Sequence, residues 1–268
     1  MKGRNISTKR IGVFDSGLGG LTVVRDIRRR FPGVNIIYIA DSAHAPYGEK
    51  NPEEIRHYSE TLTRYLIEAY HIDGLVVACN TATSAAIAHL RAVFPDRAIV
   101  GTEPGIKPAL SRTQTNKVGI LATPATLAGD KYQELADRLY NGTEVTLYEQ
   151  ACPGLVEQIE AGHIDTPETV AMLEGWLSPM REAGVDTIVL GCTHYPLVGE
   201  TIQKVMGSPV TLIETGDAIA QRLGDLLSIP ASSEQGELVV LSTGWLDHTA
   251  VRRILGDAPF AFEPMERS

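Results

Sequence analysis

The sequence predicts an α/β protein: two similar parallel-sheet α/β domains, related by a pseudo-two-fold, with the active site in the cleft between them. Three observations lead there. Apolar runs that read as strands alternate with amphipathic segments that read as helices, the rhythm of parallel sheets covered on both faces. Two of the strands recur about a hundred residues later. Each strong apolar run also ends in small polar residues, and open parallel sheets bind ligands beyond their carboxyl ends.

Residues 9–14 read as a buried strand closing at Asp15, followed by Ser16-Gly17-Leu18-Gly19-Gly20 and a helix over 21–30. Residues 34–40, rich in Ile, form the next strand and end at Asp41-Ser42. Asn51-Pro52-Glu53-Glu54 opens a helix with a cap, a proline in the first turn and acids at the positive end of the dipole. Ile55, Tyr58, Leu62, Tyr65, Leu66 and Ala69 give that helix one apolar face. Leu75-Val76-Val77-Ala78 is a strand leading into Cys79-Asn80-Thr81 and an Ala-rich helix to about residue 94.

The rhythm then repeats. Asp73-Gly74-Leu75-Val76-Val77-Ala78-Cys79 resembles Asp186-Thr187-Ile188-Val189-Leu190-Gly191-Cys192, at an offset of 113 residues. Arg10-Ile11-Gly12-Val13-Phe14 pairs with Lys117-Val118-Gly119-Ile120-Leu121 at an offset of 107. Buried parallel strands all look apolar, so either match alone is weak; both in the same order favour duplication. The expected division is 10–103 plus 215–268 for a discontinuous first domain and 104–214 for the second. The stretch 258–268 reads as peripheral.

Composition narrows the function classes. At 268 residues, 43% hydrophobic and 21% charged, the chain can bury a sizeable core. No apolar run approaches the length of a membrane span, and the first ten residues are a short basic polar stretch without an apolar signal region. Lys+Arg 24 against Asp+Glu 33, net −9, argues against a nucleic-acid or anionic-membrane binder. Three cysteines make no disulfide framework, and a cytoplasmic location is expected.

Four strand ends offer polar groups: Asp15-Ser16, Asp41-Ser42, Cys79-Asn80-Thr81 and Cys192-Thr193-His194. A cysteine just past a strand and before a helix faces unpaired N–H groups that favour thiolate, so the cost of ionisation at neutral pH, about 2 kcal/mol, is expected to be largely offset. A lone cytosolic cysteine is more often a small buried hydrophobe, and Cys152 keeps that reading. Two cysteines at equivalent ends of a repeat call for more. Zinc is disfavoured, since Cys192-x-His194 is not a ligand-pair spacing and the other histidines are scattered. Gly17-Leu18-Gly19 after a strand hints at a dinucleotide site, but the third fingerprint glycine is Thr22 and Asp15 would face the pyrophosphate. The glycines are better read as letting backbone N–H groups approach a small carboxylate.

With Asp15-Ser16-Gly17, Pro46-Tyr47-Gly48, Cys79-Asn80-Thr81-Ala82-Thr83 and Gly191-Cys192-Thr193-His194-Tyr195-Pro196-Leu197 in order, the chain resembles the glutamate racemases of the cofactor-independent aspartate/glutamate racemase family, from about residue 11 to 244. The resemblance implies racemisation of L-glutamate to D-glutamate for peptidoglycan, with no cofactor. It makes Cys79 and Cys192 the two acid/base thiols, Asp15 the assistant of the first, and His194 with Glu157 the assistants of the second. Ser16, Pro46, Tyr47, Gly48, Asn80, Thr81 and Thr193 would hold substrate, together with Asp15, His194 and the two thiols. Thr123 and Thr126 match more loosely, and Asp41 matches an acid near the site. It further implies a homodimer, with Trp176 and Trp245 as interface or core, and leaves open an activating peptidoglycan precursor, UDP-N-acetylmuramoyl-L-alanine. Chemistry gives its own reason for two thiols: inverting a carbon means removing a proton from one face and returning one to the other. Alternatives are an aspartate or other racemase of the superfamily, and a nucleotide-binding oxidoreductase.

Overall fold

A computed structural model describes residues 9–140 and 144–265. The basic N-terminal stretch up to residue 8 lies outside the described residues, as do residues 266–268. Among the described residues, ten strands form two sheets: β1 (Arg10–Asp15), β2 (Asn35–Ala40), β3 (Gly74–Val77), β4 (Ala98–Gly101), β5 (Lys117–Ala122), β6 (Thr146–Ala151), β7 (Thr187–Gly191), β8 (Thr211–Ile213), β9 (Leu238–Ser242) and β10 (Ala261–Pro264). The first sheet has the order β10-β9-β2-β1-β3-β4, the second β6-β5-β7-β8, and all of these neighbours pair in parallel.

The four strands of the second sheet repeat the order β2-β1-β3-β4 of the first, with β1 and β3 corresponding to β5 and β7. The aspartates that open β3 and β7 also act alike. Asp73 accepts from Arg10 N at 2.8 Å, and Asp186 accepts from Gln114 N at 2.7 Å and Thr115 N at 3.0 Å, so each fastens the segment entering its neighbouring strand. The first sheet then adds β9 and β10 at its β2 edge. The stretch expected to be peripheral therefore contributes an edge strand, because β10 completes a ladder with β9 from Ala261 to Pro264.

Helices cover both faces. In α1 (Leu21–Arg30), Leu21, Val23, Val24 and Ile27 are buried while Arg28, Arg29 and Arg30 occupy the negative end of the dipole. In α2 (Pro52–Tyr70), Asn51 accepts from the N–H groups of Glu53 and Glu54, and the Glu54 side chain returns the bond to Asn51 N, a reciprocal cap worth about 1 kcal/mol. Ile55, Leu62 and Leu66 of its apolar stripe are buried and Tyr58 and Tyr65 half-buried, whereas Ala69, in the last turn, is exposed. α3 (Asn80–Val93) starts directly at the end of β3. One apolar cluster runs without a break from Ile11 and Val13 in the first sheet through Leu18, Ile159 and Tyr195 to Ile188 and Leu190 in the second. Trp176 packs on this cluster, and Trp245 is exposed. Among the described residues, no helix is long and apolar enough to cross a membrane.

Candidate active site

The carboxyl ends of β1 and β3 in one sheet and of β5 and β7 in the other converge on a cleft of about 540 Å³. Asp15, Ser16, Cys79, Asn80, Thr81, Thr123, Cys192, Thr193 and His194 line it from those four strand ends. Pro46, Tyr47 and Gly48 line it from the loop after β2, and Glu157 from the helix Leu155–Glu160. Among the described residues, no lysine or arginine lines the cleft.

Cys79 is the N-cap of α3, and Ala82 N donates to its sulfur at 3.4 Å. Ser16 Oγ lies 3.9 Å from the same sulfur. The sequence argument expected these dipoles to make a thiolate cheap, and here the balance goes the other way. Burial and the charge of Asp15 outweigh Ala82 and Ser16, holding the Cys79 thiol well above its ordinary range. Asp15 is itself fully buried, and burial raises its carboxyl against the opposing charge of His194 and the N–H groups of Gly20 and Ser16. Its Oδ2 accepts from Gly20 N at 2.6 Å and from the Thr193 hydroxyl at 3.3 Å, while Oδ1 has no partner. The buried Asn80 Nδ2 also has none, and both atoms belong to residues of the cleft.

Cys192 has no helix to cap. β7 runs instead into the turn Tyr195–Val198, and the neighbour of Cys192 is His194, with Nδ1 3.7 Å from the sulfur. The acid on the far side of that imidazole is Glu160, whose Oε1 lies 2.6 Å from His194 Nε2. Glu157 was expected in that company. It stands exposed at the cleft, and no hydrogen bond joins it to His194. The two glutamates lie three residues apart on one short helix, and nothing in the sequence singles out the second as the partner of His194. Burial of His194 favours the neutral ring, but Cys192 and Glu160 overcome it and hold the imidazole well above its usual range.

The glycine loop after β1 has a different use from either sequence reading. A Cβ on Gly17 would stand 2.0 Å from Glu160 Oε1, and one on Gly19 2.4 Å from His194 Nδ1. The carboxylate met by the loop is thus the chain's own Glu160, which accepts from Leu18 N at 2.7 Å. A pyrophosphate has no room there, which removes the dinucleotide reading.

Three hydroxyls tie the sheets together: Thr81 lies 3.0 Å from Thr123 and 3.3 Å from Thr126, and Thr123 lies 2.9 Å from Thr126. Thr126 therefore supports the cleft from behind. Asp41 stands outside the lining; it accepts from Tyr47 OH at 2.5 Å, Thr243 Oγ1 at 2.7 Å and His44 Nδ1 at 2.9 Å, seating the buried Tyr47. Cys152 is buried as expected but also lines the cleft, and burial with the charge of Cys192 pushes its thiol up to about 12.

Residues 11–223 match the family model described as Asp/Glu/Hydantoin racemase. The chain is 56% identical over 248 residues to a glutamate racemase of Sulfurovum sp. (strain NBC37-1), covering 92% of this chain and 94% of the relative. Among solved structures it is similar to Escherichia coli glutamate racemase in complex with L-glutamate and the activator UDP-MurNAc-ala, at a TM-score of 0.84, 32% identity and coverage of 96% and 98%. It is also similar to a Bacillus anthracis glutamate racemase, at a TM-score of 0.83, 31% identity and coverage of 96% and 97%.

Proposed function

Because the chain belongs to the Asp/Glu/Hydantoin racemase family, we propose that it interconverts L- and D-glutamate by two-base proton transfer between Cys79 and Cys192. The observation that carries this is the shared cleft: both cysteines line one cavity, each approached from its own sheet and each with its own assistant. Asp15 faces Cys79 and His194 faces Cys192.

The electrostatics favour an unequal pair at rest. The imidazolium of His194 lies beside the Cys192 sulfur, while burial and Asp15 keep the proton on Cys79. The Cys192 thiolate takes the α-hydrogen of the enantiomer that presents it, becoming a thiol. The electron pair spreads from the planar α-carbon into the α-carboxylate. The Cys79 thiol gives its proton to the opposite face, becoming a thiolate, and the inverted amino acid leaves. The enzyme returns to its resting form by losing the Cys192 proton and regaining one at Cys79. The reverse reaction starts from the exchanged pair.

The larger barrier is the weak acidity of the α-hydrogen. Hydrogen bonds must meet the charge that develops on the carboxylate, and neutral donors do this without a competing charge. Ser16, Asn80 and Thr81 are such donors, and Asn80 Nδ2 is a buried donor still to be matched. Glutamate is anionic and the chain carries net −9, so these local groups do the binding without long-range steering.

The two sheets are taken as the two domains, dividing near Glu103-Pro104 and Glu214-Thr215, with Glu157 as a further acid at the cleft. The enzyme is proposed to act in the cytoplasm as a homodimer supplying D-glutamate for peptidoglycan. A rise in kcat on adding UDP-N-acetylmuramoyl-L-alanine would extend to this chain the control shared by some relatives. The central test is racemisation in heavy water by Cys79→Ala and Cys192→Ala. The wild type should turn over glutamate and leave deuterium at the α-carbon, and each variant should lose racemisation. Appreciable racemisation by either single variant would overturn the two-base assignment.

A further inference from the structure

We propose that Glu49 and Glu157 form a charge filter at the mouth of the cleft, two carboxylates that sort entering ligands by net charge. They favour an amino dicarboxylate over a dicarboxylate of the same length that lacks the ammonium group. The proposal rests on the racemase reading above and deepens it by naming what the site keeps out.

The lining of the cleft divides by exposure. Among the described residues of that lining, only Glu49, Pro124, Pro153 and Glu157 are exposed. Two of these four bring a negative charge, and the other two, being prolines, have no N–H to offer an anion. Ser16, Asn80 and Thr81, which can donate to a carboxylate, are buried farther in. Nothing on the lining offsets the two acids. It holds no lysine or arginine, and the imidazole of His194 is already engaged by Cys192 and Glu160. A ligand therefore passes the carboxylates before it reaches the buried donors.

The two acids stand on opposite flanks, and both are anchored. Glu49 ends the turn Tyr47–Glu49, which follows β2 of the first sheet. Asp41 seats Tyr47, and a Cβ on Gly48 would come 3.1 Å from Thr123 Cβ, so the turn lies against the end of β5. Glu157 comes from the helix after β6 of the second sheet, whose Leu155, Val156 and Ile159 are buried. The main chain beneath each carboxylate is held while the side chain faces water.

The interior discriminates in the same sense. Asp15 Oδ1 and Asn80 Nδ2 are buried and without partners, an acceptor and a donor in one cavity. A ligand with both an ammonium and a carboxylate can satisfy the two together. A plain dicarboxylate leaves the acceptor bare, and an unmatched buried polar atom opposes binding.

The size of the effect follows from Coulomb's law. Through water, a unit charge about 8 to 10 Å away changes affinity about twofold. Glutamate enters with one net negative charge and glutarate, the same skeleton without its amino group, with two. Each mouth carboxylate should therefore weaken glutamate about twofold and glutarate about fourfold. Salt should erase the difference, since the screening length falls from about 30 Å at 0.01 M to about 10 Å at 0.1 M.

The test compares the full-length wild type with Glu49→Gln, Glu157→Gln, the double variant and Glu182→Gln. The last removes the same charge from an exposed position of the helix Pro167–Ala183, outside the lining of the cleft. Three quantities are measured from low to high NaCl: kcat and KM for both enantiomers, the competitive Ki of glutarate, and the Kd of glutarate by calorimetry. At low salt the double variant should lower Ki and Kd for glutarate by about fifteenfold and KM by about fourfold, with a smaller change in kcat. High salt should bring the wild type toward the double variant, and Glu182→Gln should behave as wild type. Equal factors for the two ligands, or an equal effect of Glu182→Gln, would overturn the proposal. Should the variants fail to fold, the wild type alone decides: its affinity for glutarate must rise with salt more steeply than that for glutamate, and a flat series overturns the filter. A wild type that gains affinity for glutarate with salt yet does not racemise glutamate would defeat the racemase reading and leave the filter standing.

Discussion

The hydroxyls of Thr81 and Thr123 stand 3.0 Å apart, one at the start of α3 beyond the first sheet and the other at the end of β5 in the second. Both are buried and both line the cleft, so this contact joins its two walls. Replacing either by Val removes this bond and leaves its partner the bond to Thr126, at about 0.5 to 1.5 kcal/mol. Thr81→Val and Thr123→Val are expected to raise KM for glutamate more than they lower kcat. A double-mutant cycle on kcat/KM should show coupling, because the two changes remove one shared interaction.

Thiol reactivity should follow the electrostatics. Burial and Asp15 oppose a thiolate at Cys79, burial holds Cys152 up to about 12, and the Cys192 sulfur lies beside the imidazole of His194. Iodoacetamide at neutral pH, followed by peptide mass spectrometry, should label Cys192 before either Cys79 or Cys152. Asp15→Asn removes a negative charge beside Cys79 and should raise its labelling rate several-fold, while leaving Cys192 nearly unchanged.

His194→Ala should affect the two directions unequally in kcat, since the imidazole touches only the Cys192 side. Enantiomers have equal free energy, so kcat/KM must fall by the same factor both ways, and the inequality has to appear in kcat and KM together. Progress curves from pure L- and pure D-glutamate would measure it. Equal losses in kcat would separate His194 from either face.

Asp186 links stability to pH. Burial works against its charge, but bonds from the Thr113 hydroxyl and the N–H groups of Gln114 and Thr115 hold its carboxyl below the usual range. A carboxyl lowered on folding adds stability that is full above its unfolded value, about 3.9, and is lost as pH falls through the folded one. Asp186→Asn should therefore lower Tm by a few degrees at neutral pH, about 1 kcal/mol for a chain of this size. The gap should close on acidification, as differential scanning calorimetry at a series of pH values would reveal.

Much of this was legible because strands and their ends are local patterns. Apolar runs closing in Asp15-Ser16, Cys79-Asn80-Thr81 and Cys192-Thr193-His194 announce both the sheet and its ligand edge within a few residues. The repeated Asp…Cys segment carries the correspondence of β3 to β7, down to the aspartate that fastens the entry of each neighbouring strand. Glu160 was not legible in that way. It lies 34 residues from His194 and 142 from Leu18, at the end of a six-residue helix with no strand-end signature, so its importance exists only in the folded chain. The ionisation of Cys79 was misjudged for a related reason: helix dipoles can be inferred from a strand-helix junction, but complete burial beside Asp15 cannot.

The junction of β9 with β2 bears on how the protein is born. Some two hundred residues separate those partners, and at translation speeds of about 5–20 residues per second the ribosome needs roughly 10 to 40 s to deliver the second after the first. Through that interval the Ile36-Ile37-Tyr38-Ile39 flank has an open row of amide and carbonyl groups, the kind of sticky border that invites pairing with a neighbouring chain. A message cut short before Leu238 would leave that border bare for good, so nascent fragments of this protein should be prone to clump even when their second sheet is fully made.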